Sequence, residues 1–241
     1  MTETEIYLFC LLLPATAALC GGLSVRLWRP STSTLAAVGH FTAGLVLGAV
    51  AIELCPTLVE GDSFIAVVLG FSLGALFMLA IGHITRHAES SSDSSDSSAG
   101  LLFAVAVDLF VDGLLLGTAL IVGLKQGMLI AIALTIEAFF LCLATSESLR
   151  ARKATPGKIF AAAFMLATLL AVGVVSGHFF SAQLTGATQA ATLAFATAAL
   201  LYLVVEELLV EAHREKDRRL TPALFFAGFL LIFIMQRVLG D

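Results

Sequence analysis

The sequence predicts an all-α polytopic membrane protein with eight transmembrane helices. Three observations carry that expectation. Of the 241 residues, 59% are hydrophobic and the mean hydropathy is +1.00, whereas a soluble domain is about half apolar and about a quarter charged. Charged residues make up only 13%, and they gather in short patches between apolar runs. Eight of those runs are long enough to cross a hydrocarbon core, which takes about 20 residues per helix.

The expected spans are 6–28, 36–57, 64–84, 101–122, 127–148, 158–181, 189–211 and 221–239, within one membrane domain covering residues 1–241. The first run follows an acidic start, Met-Thr-Glu-Thr-Glu. A secretory signal opens with a basic segment, so this run reads as a retained span. Pro30, Gly61, Pro156, Gly157, Gly186 and Pro222 fall at or near the breaks, where helix-stopping residues belong. The fourth and fifth spans are joined by a few residues around 123–127 and should form a tight hairpin. The stretch 89–98 reads ESSSDSSDSS, and residues 86–99 are expected to be a disordered, solvated loop.

Orientation follows from the placement of Lys and Arg. Arg26, Arg29, Arg86, Arg150, Arg152, Lys153, Lys158, Arg214, Lys216, Arg218 and Arg219 all follow odd-numbered spans, and only Lys125 and Arg237 lie on the other side. The alternation supports the count of eight. It places both termini outside and the Ser/Asp loop in the cytoplasm, as a multi-pass protein of the cell (inner) membrane. No basic stripe with interleaved aromatics exists, so nucleic acid is not an expected partner. Cys10, Cys20, Cys55 and Cys142 sit in apolar runs without a CxxC pair and read as small packing residues.

The acidic residues inside the spans are the chemical signal. Asp108 and Asp112 lie deep in the fourth span and Glu137 near the middle of the fifth. Each carboxylate at a bilayer centre costs about 2.5–3.5 kcal/mol on insertion scales, so three forfeit roughly 8–10 kcal/mol unless compensated. No Lys or Arg sits at matching depth. Protonation, water or a bound cation remains. Asp108 and Asp112 are four residues apart and share a helical face at about 6 Å, and Glu137 can reach the same layer from the next helix of the hairpin. An oxygen-only set suits hard or borderline cations. The competing reading is a protonated, hydrogen-bonded acidic cluster with a structural role. Gly113 and Gly117 would let another helix approach closely.

A second tier of residues could line a path. Glu53 ends the second span just before Pro56, which should loosen the last turn. Glu206 and Glu207 lie in the seventh. His40 and His83 are expected close to the cytoplasmic face and His178 near the outer end of the sixth span, each a possible ligand where an ion enters or leaves. Glu147 and Glu211, beside Arg-rich loops, read as solvated surface residues. The acids also echo one another between spans 2 and 7 and between spans 4 and 5, which suggests an inverted repeat of the kind secondary transporters use.

These residues resemble the ZIP (zinc/iron-regulated-like) metal-transporter family. Its fourth span carries His-Asn-x-x-Asp/Glu-Gly. Here Asp112-Gly113 match, while Asp108 and Leu109 replace the His and Asn. Its fifth carries His-Glu-x-Pro-Glu, of which Glu137 is retained in Ile136-Glu137-Ala138-Phe139-Phe140. Ile52-Glu53-Leu54-Cys55-Pro56 resembles the family's His-Leu-Leu-Pro ending of the second span, and the seventh span, 201–212, matches most closely. The resemblance implies a ZIP-like bundle with inverted repeats, often a homodimer, in which spans 1, 4, 5 and 6 carry the metal and spans 2, 3, 7 and 8 form a scaffold. It implies transport of a divalent cation (zinc, manganese or iron class) toward the cytoplasm by an elevator-like slide. The missing His, Asn and Pro-Glu residues imply one main site built from Asp108, Asp112 and Glu137, with weakened preference for zinc relative to harder ions.

Rival readings fit less of the sequence. Glu206-Glu207 resembles the Glu-Glu-x-x-x-Arg motif of one intramembrane protease class, but position 211 is Glu, and neither Asp108 nor Asp112 follows a GxGD. A proton- or small-solute-coupled carrier using the same acids, and a ZIP-like protein that has lost metal transport, are the alternatives.

Overall fold

Local sequence starts several of the helices in a way the residues explain. In the computed structural model, which describes residues 2–61, 63–91, 97–208 and 221–240, α1 (Glu3–Ser24) opens on a capping box. The Thr2 hydroxyl accepts from the Glu5 N–H at 3.3 Å and the Glu5 carboxylate accepts from the Thr2 N–H at 2.8 Å, satisfying amides that the first turn leaves open. Ser31 caps α2 (Thr32–Glu60) by accepting from Thr34 N–H at 3.1 Å. Phe64–Ser91 forms α3, Ser97–Val122 α4 and Leu124–Ala151 α5. Pro156, at the first helical position where its missing N–H costs nothing, opens α6 (Pro156–Ser181). Gly186, with φ +57°, turns the chain into α7 (Ala187–Leu203, continued by a π-turn Val204–Leu208), and α8 is Thr221–Gly240.

Among the described residues all regular structure is helical. Seven helices are long and apolar enough to cross a membrane, and Pro222–Val238 adds a shorter apolar one. This is the all-α polytopic membrane architecture that the hydropathy pattern predicts. Several helices overrun the expected spans. The third reaches Ser91 rather than stopping near 84, and the fourth already begins at Ser97. Of the stretch expected to be a disordered loop, residues 92–96 lie outside the described residues, as do the basic residues between 209 and 220.

Helix pairing is set by glycine. Gly113 and Gly117 on α4 face Leu170 and Val174 on α6, whose own Gly173 and Gly177 face Phe110 and Leu114. With no Cβ on either side, the two backbones touch, as small residues allow between membrane helices. Gly70 and Gly74 seat α3 on α7 in the same manner, Gly44, Gly48 and Gly228 join α2 to α8, and Gly21 presses α1 on α5. These four pairs carry the densest packing of the bundle, followed by α1 on α6 and α4 on α5. The helices therefore fall into two groups: α1, α4, α5 and α6, and α2, α3, α7 and α8. The groups meet where α2 crosses α5 and α4 crosses α7, through apolar clusters. In one, Phe41, Leu45 and Ala49 pack with Ala133 and Ile136. In the other, Val107 and Val111 pack with Ala199, Tyr202 and Leu203.

The main pairings are preserved when α1 is exchanged with α6, α2 with α7, α3 with α8 and α4 with α5. Five positions along the chain separate α1, α2 and α3 from their counterparts and one separates α4 from α5; both numbers are odd, so the counterparts point oppositely. The match reaches single residues at a constant offset of 154. Val50–Leu54 and Val204–Leu208 are both π-turns, reading VAIEL and VVEEL. Gly74 meets the Phe195 backbone, and its counterpart Gly228 meets the Phe41 backbone. The acidic echo between spans 2 and 7 is thus part of a structural repeat.

Candidate metal path

The three mid-span acids are withdrawn from solvent completely. Asp108 is 2% exposed, Asp112 1% and Glu137 0%. The α4–α5 hairpin fixes their levels. It turns at Gly123, whose N–H donates to Ala119 O at 3.0 Å and whose carbonyl accepts from Gly127 at 2.9 Å. Asp108 precedes this turn by 15 residues and Glu137 follows it by 14, so at about 1.5 Å rise per residue they stand level, some 21–22 Å from the turn. Asp112 lies one turn nearer the hairpin, on the same face as Asp108. Among the described residues, no three His, Cys, Asp or Glu side chains converge closely enough to hold a metal ion as they stand.

The structure adds neighbours to this layer that the sequence did not point to. Phe41, Leu45 and Ala49 of α2 share one apolar cluster with Ala133 and Ile136 of α5, which brings positions 40–42 near the level of Glu137. His40 is 1% exposed there, with Nδ1 2.9 Å from Ala36 O. Thr42 is fully buried and its hydroxyl has no hydrogen-bond partner. Cys142, read from sequence as packing, lies within electrostatic reach of Asp108. A hydroxyl or thiol inside an apolar run leaves no signal in hydropathy, so only the helix register reveals these two.

The second-tier residues distribute along the bundle. Glu53 sits in the first π-turn, 7% exposed. That turn forms because Pro56 has no N–H for Ile52, and the Cys55 N–H reaches back to Val50 O instead. π-turns of this sort gather at functional positions. Thr57 donates to the Glu53 carbonyl at 2.9 Å. Glu206 lies in the other π-turn, partly exposed, and the Glu207 side chain falls outside the described residues. Gly70 meets Ala191 and Gly74 meets Phe195, an offset of 121, so exposed His83 stands level with Val204 at the start of that turn.

His178, near the end of α6, stacks against Tyr7 of α1 with ring centroids 4.5 Å apart and planes tilted by 51°. Its Nδ1 is buried without a hydrogen-bond partner, as is the hydroxyl of Ser181 one turn on. Glu147 pairs with Arg150 through two hydrogen bonds at the end of α5, which leaves it outside the path, as its place beside a basic loop suggested. The acids thus occupy three levels: Glu53 near one end, the Asp108, Asp112 and Glu137 group in the middle, and Glu206 toward the other end.

The profile of the family described as ZIP zinc transporter covers residues 86–236, the stretch from the end of α3 through α8 that includes all three mid-span acids. No curated protein matches the chain.

Proposed function

Since the chain belongs to the ZIP zinc transporter family, whose members are divalent-metal transporters rather than enzymes, we propose that it moves a zinc-, manganese- or iron-class cation toward the cytoplasm through the layer of Asp108, Asp112 and Glu137. One observation carries this reading: three carboxylates at the middle of α4 and α5 are all at most 2% exposed, a placement that intramembrane acids take along ion pathways. Because no three ligands converge as they stand, a bound ion draws the carboxylates in by rotamer change and fills its remaining positions with water, as oxygen-bound divalent ions commonly do. Cys142 and His40 near this layer add softer donors, which favours zinc within the class.

The ion enters past Glu53, with His178 as a further ligand at that end, and leaves past His40, His83 and the Glu206–Glu207 turn. The two-group packing suits an elevator-like step. The glycine-clamped α1–α4–α5–α6 group moves as one body along the smooth apolar faces of α2 and α7. Both termini lie outside in the cell (inner) membrane. A second copy completes a homodimer, for which the apolar face of α3 with Ile65, Leu69, Leu73 and Leu76 exposed offers a surface that is otherwise left to lipid.

Replacing Asp112 with Ala removes one ligand of the central layer. Zn²⁺ or Mn²⁺ uptake into vesicles reconstituted with the full chain should then vanish, and unchanged uptake rules the layer out. The lack of a ready three-ligand cluster favours one second reading, a carrier in which the same acids shuttle protons. Calorimetric titration of Zn²⁺, Mn²⁺ and Fe²⁺ with and without Asp108 separates the two. The proton carrier gives no binding heat that depends on Asp108.

A further inference from the structure

The Glu53 end of the bundle holds a charge that the path above does not use. The π-turn Val50–Leu54 packs on α5, and the antiparallel run of α2 along α5 carries Glu53 to a residue in the first turn of α5. That residue is Lys125, and Glu53 lies within its electrostatic reach. Lys125 is the second residue of α5, where the positive end of the helix dipole disfavours a cation. Lys125 is exposed, and a nearby carboxylate offsets that penalty. Glu53 is 7% exposed and its Oε1 has no hydrogen-bond partner, so the carboxylate keeps capacity to accept more than one cationic partner. It also sits on the π-turn Val50–Leu54, where the helix has a turn that can tighten or relax.

We propose that Lys125 is a tethered cation that screens the Glu53 mouth and so sets selectivity for divalent over monovalent ions. This rests on the transport reading above. The physical reason is a competition for one carboxylate. A monovalent ion gains no more Coulomb energy at Glu53 than the ammonium it would displace, and it must overcome the high local concentration of a group held on the neighbouring helix. A divalent ion gains about twice as much and displaces the ammonium, which swings aside on its flexible four-carbon stem. Lys125 is therefore a specificity-determining residue, and it need not touch the ion once the ion has moved on to Asp112.

The test uses the full chain in proteoliposomes, with Zn²⁺ uptake measured in external K⁺ or in N-methylglucamine at equal ionic strength. Uptake by the unaltered protein should be indifferent to K⁺. Lys125→Gln should make it K⁺-sensitive, lowering the K⁺ needed for half-inhibition by about tenfold, equivalent to about 1.4 kcal/mol. Lys125→Arg, which keeps the charge, should keep the indifference. A Lys125→Gln protein as indifferent to K⁺ as the unaltered one overturns the proposal.

A second arm does not depend on transport. Lys125→Cys is labelled with cationic or anionic thiosulfonates and read by peptide mass. Glu53 should favour the cationic reagent, and the preference should disappear with Glu53→Gln or on adding Zn²⁺, and weaken in K⁺ because the tethered ammonium is gone. Equal rates for both reagents with Glu53 present, or a preference that Zn²⁺ leaves intact, overturn the proposal. If the unaltered protein moves no divalent ion at all, the transport reading falls and the labelling arm alone decides whether Lys125 screens Glu53.

Discussion

Alanine in place of Gly117 tests whether backbone contact between α4 and α6 holds the α1–α4–α5–α6 group together. A Cβ at this position would overlap the Val174 carbonyl and lie 2.5 Å from the His178 backbone nitrogen, where ordinary contact begins near 3.4 Å. Neither neighbour is the end of a flexible side chain, so the two helices must part by about 1 Å, which forfeits a quarter to a half of each dispersion contact along the seam. Overpacking of this kind costs about 1–3 kcal/mol. Against it stands the gain of up to about 1 kcal/mol that alanine brings over glycine in a helix. The net is a loss of about 1–2 kcal/mol, which for a chain of this length lowers Tm by about 2–8 °C. Gly157 on the same α6 has nothing within 4 Å of a would-be Cβ, so Gly157→Ala takes the helix gain without the clash. The pair is compared by thermal unfolding of the purified protein in one detergent. A Gly117→Ala Tm equal to or above that of Gly157→Ala refutes the packing argument.

Four further outcomes follow from the structure. Gly186→Ala, at φ +57° and ψ −126°, forces an L side chain into a region it rarely adopts; the loss should be about 1–3 kcal/mol, seen as a lower Tm although the position has open space around it. Thr42→Val keeps the shape and removes a buried hydroxyl without a hydrogen-bond partner; if that hydroxyl serves the ion, the apparent affinity for Zn²⁺ falls severalfold while Tm holds or rises, and an unchanged affinity removes Thr42 from the layer. Cys142→Ser should lower Zn²⁺ and Cd²⁺ uptake relative to Mn²⁺, since a hydroxyl is a poorer ligand than a thiolate for the softer ions; equal loss for all three means the thiol only packs. Thr2→Ala breaks the capping box of α1, costing about 1 kcal/mol locally. Hydrogen exchange should quicken in the first turn of α1 alone.

What could be read in the sequence was whatever hydropathy and helical spacing encode. Eight apolar runs gave the helices, and Asp108, Asp112 and Glu137 stood out because charge inside such runs is expensive. The spacing of Gly113 and Gly117 correctly announced a close helix neighbour, though not that α6 would answer with Gly173 and Gly177. Register between helices was not legible, because it depends on which faces meet. For that reason Lys125 was not matched to Glu53, and the buried Thr42 hydroxyl and the nearness of Cys142 to Asp108 went unread. The π-turn at Glu53 was half visible in Pro56, which removes an N–H. Its counterpart at Glu206 has no proline, and only the likeness of VAIEL to VVEEL hinted at it.

The 154-residue offset has a consequence for how such a bundle could face two compartments. Each half contains the same local plan, threaded through the bilayer in the opposite sense. A posture that the first half adopts toward one side is one the second half is equally equipped to adopt toward the other. Under the proposed transport reading, trading postures would rebuild the seams of α2 on α5 and α4 on α7 with the doorway turned round. One chain would then specify both opposed shapes from the same repeated plan.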